Sequence, residues 1–433
     1  MTDFLSFSIL FLTFSLSFYL ILKKCNDISS TPLIYSIIWL FLYCFIVPLY
    51  GVSINRNFVF GNDISEFVAE AVLYYALGVF SFTLGFAIFH KKIPIIEYTY
   101  NSNSLVRSAR LTLIISLVSI FFWADLSGYG ISSLFFMGNV AVNNLDDFNY
   151  GGYNYLKAMF DWSFPALLLA TISGMKKKEL IFWIVLLSII FISMGVRYRW
   201  LYLLSNFIFL LFLLRGRFLI FKKELLILLF VSCFLLLSVQ FRADIKRFSL
   251  GLQDSLISES YDDSTIYRIY ESLDNYVTFS SVIKYKSSYD YDYDLGRSLF
   301  LEPFIRMTPR SFFDNEKPEV YTLKIMRESF GSYDALMAGK AATNIDEYYI
   351  IGGVLGVVIL CFIFGCAISY ISRRLLVSPS VYSKISFILI STSMYHFISR
   401  GYFVGYIMHL SYALTGVAFI LLLQSIEKYL GKR

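Results

Sequence analysis

Charge is the scarcest property of this sequence. Asp, Glu, Lys and Arg make up 16% of its 433 residues, well below the roughly 25% of an ordinary soluble domain. Apolar residues reach 57% and the mean hydropathy is +0.64. Together these exclude a soluble globular domain and point to a polytopic membrane protein. The cysteines (Cys25, Cys44, Cys233, Cys361 and Cys366) form no CxxC and no Cys/His metal spacing, and all lie in or beside apolar runs. They read as small packing residues. No Walker A, GxGxxG, HExxH or nucleophile-elbow motif is present, which argues against ATP-driven transport and against a hydrolase of the soluble type. No internal repeat or low-complexity tract occurs. The first apolar run, Phe4 to Leu22, has no basic residue before it and no small-x-small cleavage site after it. It reads as a retained span and not as a signal peptide.

What the sequence does have is long apolar runs. A membrane helix needs about 20 mostly apolar residues. Such runs predict about 11 spans (range 10–14), at 4–22, 32–51, 65–89, 110–126, 155–174, 179–195, 199–214, 219–238, 350–371, 381–398 and 403–424. The connections alternate in charge. Lys23 and Lys24, Lys91 and Lys92 with Arg107 and Arg110, Lys176 to Lys178, Arg215 to Lys223, Arg373 and Arg374 with Lys384, and Lys428 to Arg433 fall on every second one. The positive-inside rule assigns that side to the cytoplasm, with the N-terminus outside. The expected organisation is an N-terminal bundle of about eight helices (1–238), a large extracytoplasmic loop (239–349) and about three C-terminal helices (350–433). The loop is too rich in aromatic and aliphatic residues for a disordered linker. Apolar residues at helical spacing, as in 264–285, predict that it is mostly helical.

The basic residues left on the outer side need another explanation, because short outer connections normally lack them. They are Arg197 and Arg199 in "GVRYRW", Arg242, Lys246 and Arg247 in "QFRADIKRF", Arg306 and Arg310 in "FIRMTPRSFF", Lys317, and Arg400. As a set they suit an anion held at the membrane boundary, since guanidinium groups grip phosphate oxygens bidentately and keep their charge. Any single one could equally snorkel to phospholipid head groups or pair with a loop carboxylate. For Arg197 and Arg199 to converge on one ligand, residues 195–200 would have to form a tight turn, because residues two apart on a helix diverge.

Four further features carry possible chemistry. His396 lies one helical turn before Arg400 in "YHFISRGYF". It could relay a proton or simply donate a hydrogen bond beneath the loop. His409 reads as a helix–helix hydrogen-bond group and His90 as a boundary residue. Asp346 and Glu347 sit at the start of a span, where a carboxylate could take a proton or suit the helix dipole, and Gly352, Gly353 and Gly356 just beyond allow close helix approach. "YDYDYD" (289–294) is similar to the DxD run with which glycosyltransferases hold a metal-bound nucleotide, but it is one short acidic run in a Tyr/Asp-rich loop.

"TPRSFFDNEKPEV" (308–320), followed by "TNIDEYYIIGGVLGVVILCFIFG" (343–365), resembles oligosaccharide repeat-unit polymerases of the Wzy type, the O-antigen and capsule polymerases. The resemblance rests on Pro309-Arg310, Lys317-Pro318, Glu347 and Gly353 to Gly356, on the glycine–arginine element of "GVRYRW", and on one dominant outer loop. The odd span count departs from the family's usual arrangement with both ends inside.

The resemblance implies a GT-C-like glycosyltransferase in the bacterial inner membrane, with its site on the periplasmic face. It would move a growing chain from undecaprenyl pyrophosphate to a fresh lipid-linked unit, without metal, cofactor or nucleic acid. Membrane lipids and a chain-length regulator protein are the other partners it brings into view. On this reading Arg197, Arg199 and Arg310, with Arg242, Arg306 and Arg400 as further candidates, would stabilise the departing pyrophosphate. Glu347 or His396 would take the acceptor proton, and a Tyr-rich loop would offer faces for sugars. An O-antigen ligase shares these features. A flippase for the same lipid-linked unit fits less well, because it calls for a charged central cavity and short loops.

Overall fold

A computed structural model describes residues 2–25, 27–55, 58–59, 62–93, 103–127, 134, 154–193, 197–215, 270, 273–289, 291–308, 310–313, 317–331 and 341–430. Nearly all of these residues are helical. In chain order the helices are α1 (Thr2–Lys24), α2 (Ile28–Ser53), α3 (Ser65–Phe89), α4 (Asn103–Leu126), α5 (Asn154–Met159), α6 (Ser163–Ile172), α7 (Lys177–Ser193), α8 (Arg197–Arg215), α9 (Asn275–Ser288), α10 (Arg297–Met307), α11 (Tyr321–Phe330), α12 (Asn344–Val377), α13 (Val381–Arg400) and α14 (Phe403–Leu430). Two strands of two residues each, Phe58–Val59 and Asn62–Asp63, pair antiparallel between α2 and α3.

Among the described residues, six helices are long and apolar enough to cross a membrane: α1 from Phe4, α2, α3, α4, α12 and α14. Expected spans 155–174, 179–195, 199–214 and 381–398 also fall on helices, which are shorter or more polar. The expected span 219–238 lies outside the described residues, as does Arg242. The described part of the expected outer loop is built from α9, α10 and α11, in line with its helical periodicity.

The chain divides into two compact units. The first comprises residues 1–94, 270–377 and 393–408. Its spine is α3 packed along α12, with α1 on α3. The close crossing of α3 and α12 is made by Gly85 and Gly365. A Cβ at Gly85 would meet the Phe362 carbonyl, and one at Gly365 would meet the Phe82 carbonyl and the Phe86 amide. Close approach between membrane helices favours small residues at such points. Gly352 and Gly353 do something different from what the sequence suggested. They break α12, Gly353 adopting φ +62°, and a Cβ there would strike the Tyr293 hydroxyl. Helix α9 is buried along its first nine residues and packs against α3 and α11.

At the basic ends of α1 and α3, Asp27 ties the two together. Its carboxylate lies 3.0 Å from His90 Nε2, and it accepts hydrogen bonds from Ser29 Oγ, Ser30 Oγ and the Ile93 N–H. Lys23 and Lys24 therefore share an end of this unit with Lys91 and Lys92, as the charge alternation predicts.

The second unit comprises residues 95–269, 378–392 and 409–433. Here α4 packs on α5 and α6. Arg107 pairs with Glu427 at 2.7 Å, and Arg110 grips Glu179 through Nε at 2.6 Å and Nη2 at 2.9 Å. These pairs bring the basic start of α4, the start of α7 and the end of α14 to one end of this unit.

Burial alone would raise the Asp27 pKa, but His90, Ser29 and the Ile93 amide outweigh it and bring it down to about 2. A carboxylate depressed on folding contributes stability that is complete above its unfolded value, about 3.9, and is lost as pH falls through the folded value. Thermal unfolding of the wild-type protein in detergent is expected to lose stability as pH drops from about 5 towards about 2. Asp27→Asn should flatten that part of the profile, and an unchanged slope would contradict the assignment.

Candidate active site

In the first unit several chain segments meet where α12 and α14 begin. Thr343 and Asp346 form a reciprocal capping box at the start of α12. The Asp346 carboxylate accepts the Thr343 N–H and hydroxyl, both at 2.6 Å, and the Asp346 N–H points back to Thr343 Oγ1 at 3.4 Å. Such a box satisfies amides that the first turn leaves without helical partners. Glu347, the next residue, reaches across to α14, where its Oε2 accepts the Phe403 N–H at 2.9 Å. Both carboxylates are buried. Of the two roles the sequence left open, Asp346 takes the helix-starting one, and Glu347 caps a different helix from its own.

The rest of the junction is equally specific. Gly401 ends α13 with φ +49°, and its Cα lies so close to the Thr343 carbonyl that a Cβ would collide with it. Asn275, at the start of α9, donates through Nδ2 to the Ser399 carbonyl at 2.8 Å and the Ala342 carbonyl at 3.2 Å. One amide side chain thus joins α9 to the chain entering α12 and to the end of α13.

Tyr402 follows Gly401, immediately before α14. Its ring and the Nε2 of the buried His396 both lie against Gly405. The Arg306 guanidinium, Glu302 and Glu347 all lie within electrostatic reach of its hydroxyl. Arg306 donates to the Pro318 carbonyl, and its own carbonyl accepts Lys317 Nζ at 2.6 Å. The Lys-Pro pair is thereby fastened to α10. Glu302 lies one turn before Arg306 and is buried. Its Oε1 accepts the Tyr321 N–H at 2.9 Å at the start of α11, while Oε2 is buried without a protein hydrogen-bond partner among the described residues. Burial pushes the Glu302 carboxyl above the ordinary glutamate value, partly offset by the Tyr321 amide and Arg306. Burial likewise raises the Tyr402 phenol. A carboxyl tuned upward beside a guanidinium, in a junction of several helices, has the character of a proton-handling group.

Three of the residues singled out from sequence therefore come together here: Glu347, His396 and Arg306. Arg400 ends the same helix that carries His396 but is exposed, with Tyr43 within electrostatic reach. Arg310 opens a short 3-10 turn, Arg310–Phe313, and the placement of its side chain lies outside the description. Glu302 and Tyr402 were missed. The only sequence signal for Glu302 is its position four residues before Arg306, one of the candidate arginines.

The second unit holds Arg197 and Arg199. Both lie in the first turn of α8, so residues 197–200 are helical and any turn before them is confined to 194–196, outside the described residues. Arg199 is buried and pairs with the buried Asp161, Nε to Oδ1 at 2.7 Å and Nη2 to Oδ2 at 3.5 Å. His409 Nδ1 lies 3.8 Å from Asp161 Oδ2, close enough for electrostatic contact but longer than the hydrogen bond that the sequence suggested. Lys157 Nζ stands over the Trp123 ring at 4.6 Å. The side chain of Arg197 lies outside the description.

The acidic run has structural partners. The Asp294 carboxylate accepts the Ser298 N–H at the start of α10, and the Asp292 carbonyl accepts the Tyr321 hydroxyl. Lys286 stands over the rings of Tyr291 and Tyr293 at 4.4 and 4.6 Å.

A family model described as O-antigen polysaccharide polymerase Wzy matches residues 2–433. The chain belongs to this family. The match takes in every element of the junction, and with the membrane-length helices it marks the chain as a membrane protein of polysaccharide synthesis. No curated protein and no solved structure matches it.

Glu302 provides a check on the electrostatics. A carboxyl raised on folding destabilises the protein progressively as pH climbs from its unfolded value, about 4.3, to its folded one. Glutamine does not titrate. Any stability advantage of Glu302→Gln over the wild type should therefore grow with pH across that interval and then level off, read by thermal unfolding in nanodiscs. A pH-independent difference would contradict the upward shift.

Proposed function

We propose that the protein polymerises oligosaccharide repeat units carried on undecaprenyl pyrophosphate, on the outer face of the cytoplasmic membrane, with undecaprenyl pyrophosphate as leaving group. The observation that carries this reading is the meeting of Glu347, His396 and Arg306 around Tyr402 in a member of the Wzy family. The charge alternation of the connections supports the sidedness. The spans beyond those long and apolar enough by themselves, and the GT-C-like arrangement, belong to the same proposal.

The reaction needs a base, a cation and a scaffold. A hydroxyl at the non-reducing end of the fresh unit attacks the anomeric carbon of the growing chain. A new C–O bond forms, the bond to the diphosphate breaks, and the diphosphate leaves with the electron pair. Arg306 meets the charge that grows on it, with Arg310 and Arg400 of the same unit as further cations. Arg197, Arg199 and Arg242 are proposed separately as anion ligands, Arg199 with its direction fixed by Asp161. Preorganised charge of this kind is usually the largest electrostatic contribution to catalysis. The acceptor proton goes to His396 or to the carboxyl pair Glu347 and Glu302. Glu347 has one oxygen committed to Phe403, whereas one oxygen of Glu302 has no hydrogen-bond partner among the described residues. The tyrosines of residues 285–293 and Tyr321 offer faces and hydroxyls to the sugars.

A purified protein in nanodiscs, given a lipid-linked repeat unit, tests this. Arg306→Ala is expected to slow chain growth by about 10²–10³-fold, and loss of the true base by about 10²–10⁴-fold, at unchanged protein levels. Full-length polymer at the wild-type rate from Arg306→Ala, Glu347→Gln, Glu302→Gln and His396→Ala alike would reject the site. A deletion strain separates the reading from ligase activity: surface lipid capped by single repeat units for a polymerase, bare core for a ligase.

A further inference from the structure

The outer helix α10 has two unlike faces. One carries Ser298, Leu299, Glu302 and Pro303 into the protein. The other carries Phe300 and Phe304, 72% and 71% exposed, with Leu301 and Met307 beside them. These residues follow the spacing of one helical stripe. The stripe extends past both ends of the helix. Phe312 in the following turn is 76% exposed, and Leu295 before the helix is 85% exposed. Leu295 also adopts φ +49°, a conformation that suits glycine or asparagine far better than leucine. A contiguous apolar face of this kind is uncommon on a protein surface bathed in water.

The backbone shows where this face lies. The Leu295 N–H bonds the Ile351 carbonyl at 3.0 Å, immediately before the Gly352–Gly353 break in α12. Just past that break, the membrane-length part of α12 begins its own exposed apolar stripe at Val354, Leu355 (72% exposed) and Ile359. The exposed face of α10 therefore starts at the level where the exposed stripe of a membrane span starts. Arg297 is exposed at the head of α10 and Arg306 lies near its end. Basic residues flanking an apolar face suit lipid phosphates.

We propose that α10 is an interfacial helix that lies in the membrane boundary, with Leu295, Phe300, Phe304 and Phe312 inserted among the acyl chains of the leaflet on its side of the membrane. The opposite face then holds Glu302 and Arg306 at head-group depth, level with any lipid-borne phosphate. This placement requires only that α12 span the membrane, and it stands apart from the polymerase reading.

Site-directed spin labelling of the full chain in phospholipid nanodiscs tests it, with native cysteines replaced. Labels go at Phe300→Cys and Phe304→Cys, both exposed and so tolerant of substitution, and at Lys324→Cys on α11 as a control. Lipid-soluble oxygen should relax the labels at 300 and 304 several-fold more than a water-soluble nickel chelate, with the order reversed at 324. Greater access by the chelate at 300 and 304 would place the face in water and overturn the proposal. Shielding from both reagents would mean that protein covers the face, either another part of this chain or a second copy, and would overturn it equally. Loss of polymerase activity would leave the accessibility result untouched.

Discussion

The architecture of the first unit depends on satisfying backbone groups where three helices start or stop at the edge of an apolar medium. An unpaired amide there has no water to fall back on. Glu347 answers the first amide of α14, the Thr343–Asp346 box answers those of α12, and Asn275 answers two carbonyls at once. The Glu347 and Asn275 devices couple segments distant in sequence, whereas the capping box is local. The polar groups of the junction are thereby fixed in direction. That is the condition for electrostatic catalysis, because groups already oriented need no reorganisation as charge develops.

The two buried clusters meet the same constraint in different ways. In the second unit Asp161 is matched by Arg199 and approached by His409, which keeps buried charges paired. Removing one partner of such a pair typically costs about 3–5 kcal/mol. In the first unit Glu302 keeps one oxygen without a protein hydrogen-bond partner among the described residues, with Arg306 within electrostatic reach. A buried group left incompletely paired is costly to hold, and this is the feature that separates a candidate reactive site from a structural ion pair.

Much of the membrane architecture was legible in the sequence because a run of about 20 apolar residues has few alternatives to a spanning helix. The grouping of basic ends was legible as well, from connections such as Lys23-Lys24 and Lys91-Lys92. The site was legible only in part. Glu347 and His396 stand out because a charge or an imidazole inside an apolar run is conspicuous. Glu302 is one acid among many in a polar, Tyr-rich loop, and only the fold shows its burial and its bond to the Tyr321 amide. The Asp161–Arg199 pair spans 38 positions, and no local pattern announces it. The glycines of α12 were recognised as meaningful, but whether Gly353 serves helix packing or a break depends on its φ, which composition does not reveal.

The central claim is that the junction of α12 and α14 receives the diphosphate of the lipid-linked substrate. The most direct measurement is a structure of the full chain in nanodiscs with undecaprenyl pyrophosphate bound. The account predicts phosphate oxygens within hydrogen-bond distance of the Arg306 guanidinium, beside Tyr402 and His396. A diphosphate bound elsewhere, with Arg306 still donating to the Pro318 carbonyl, would contradict it.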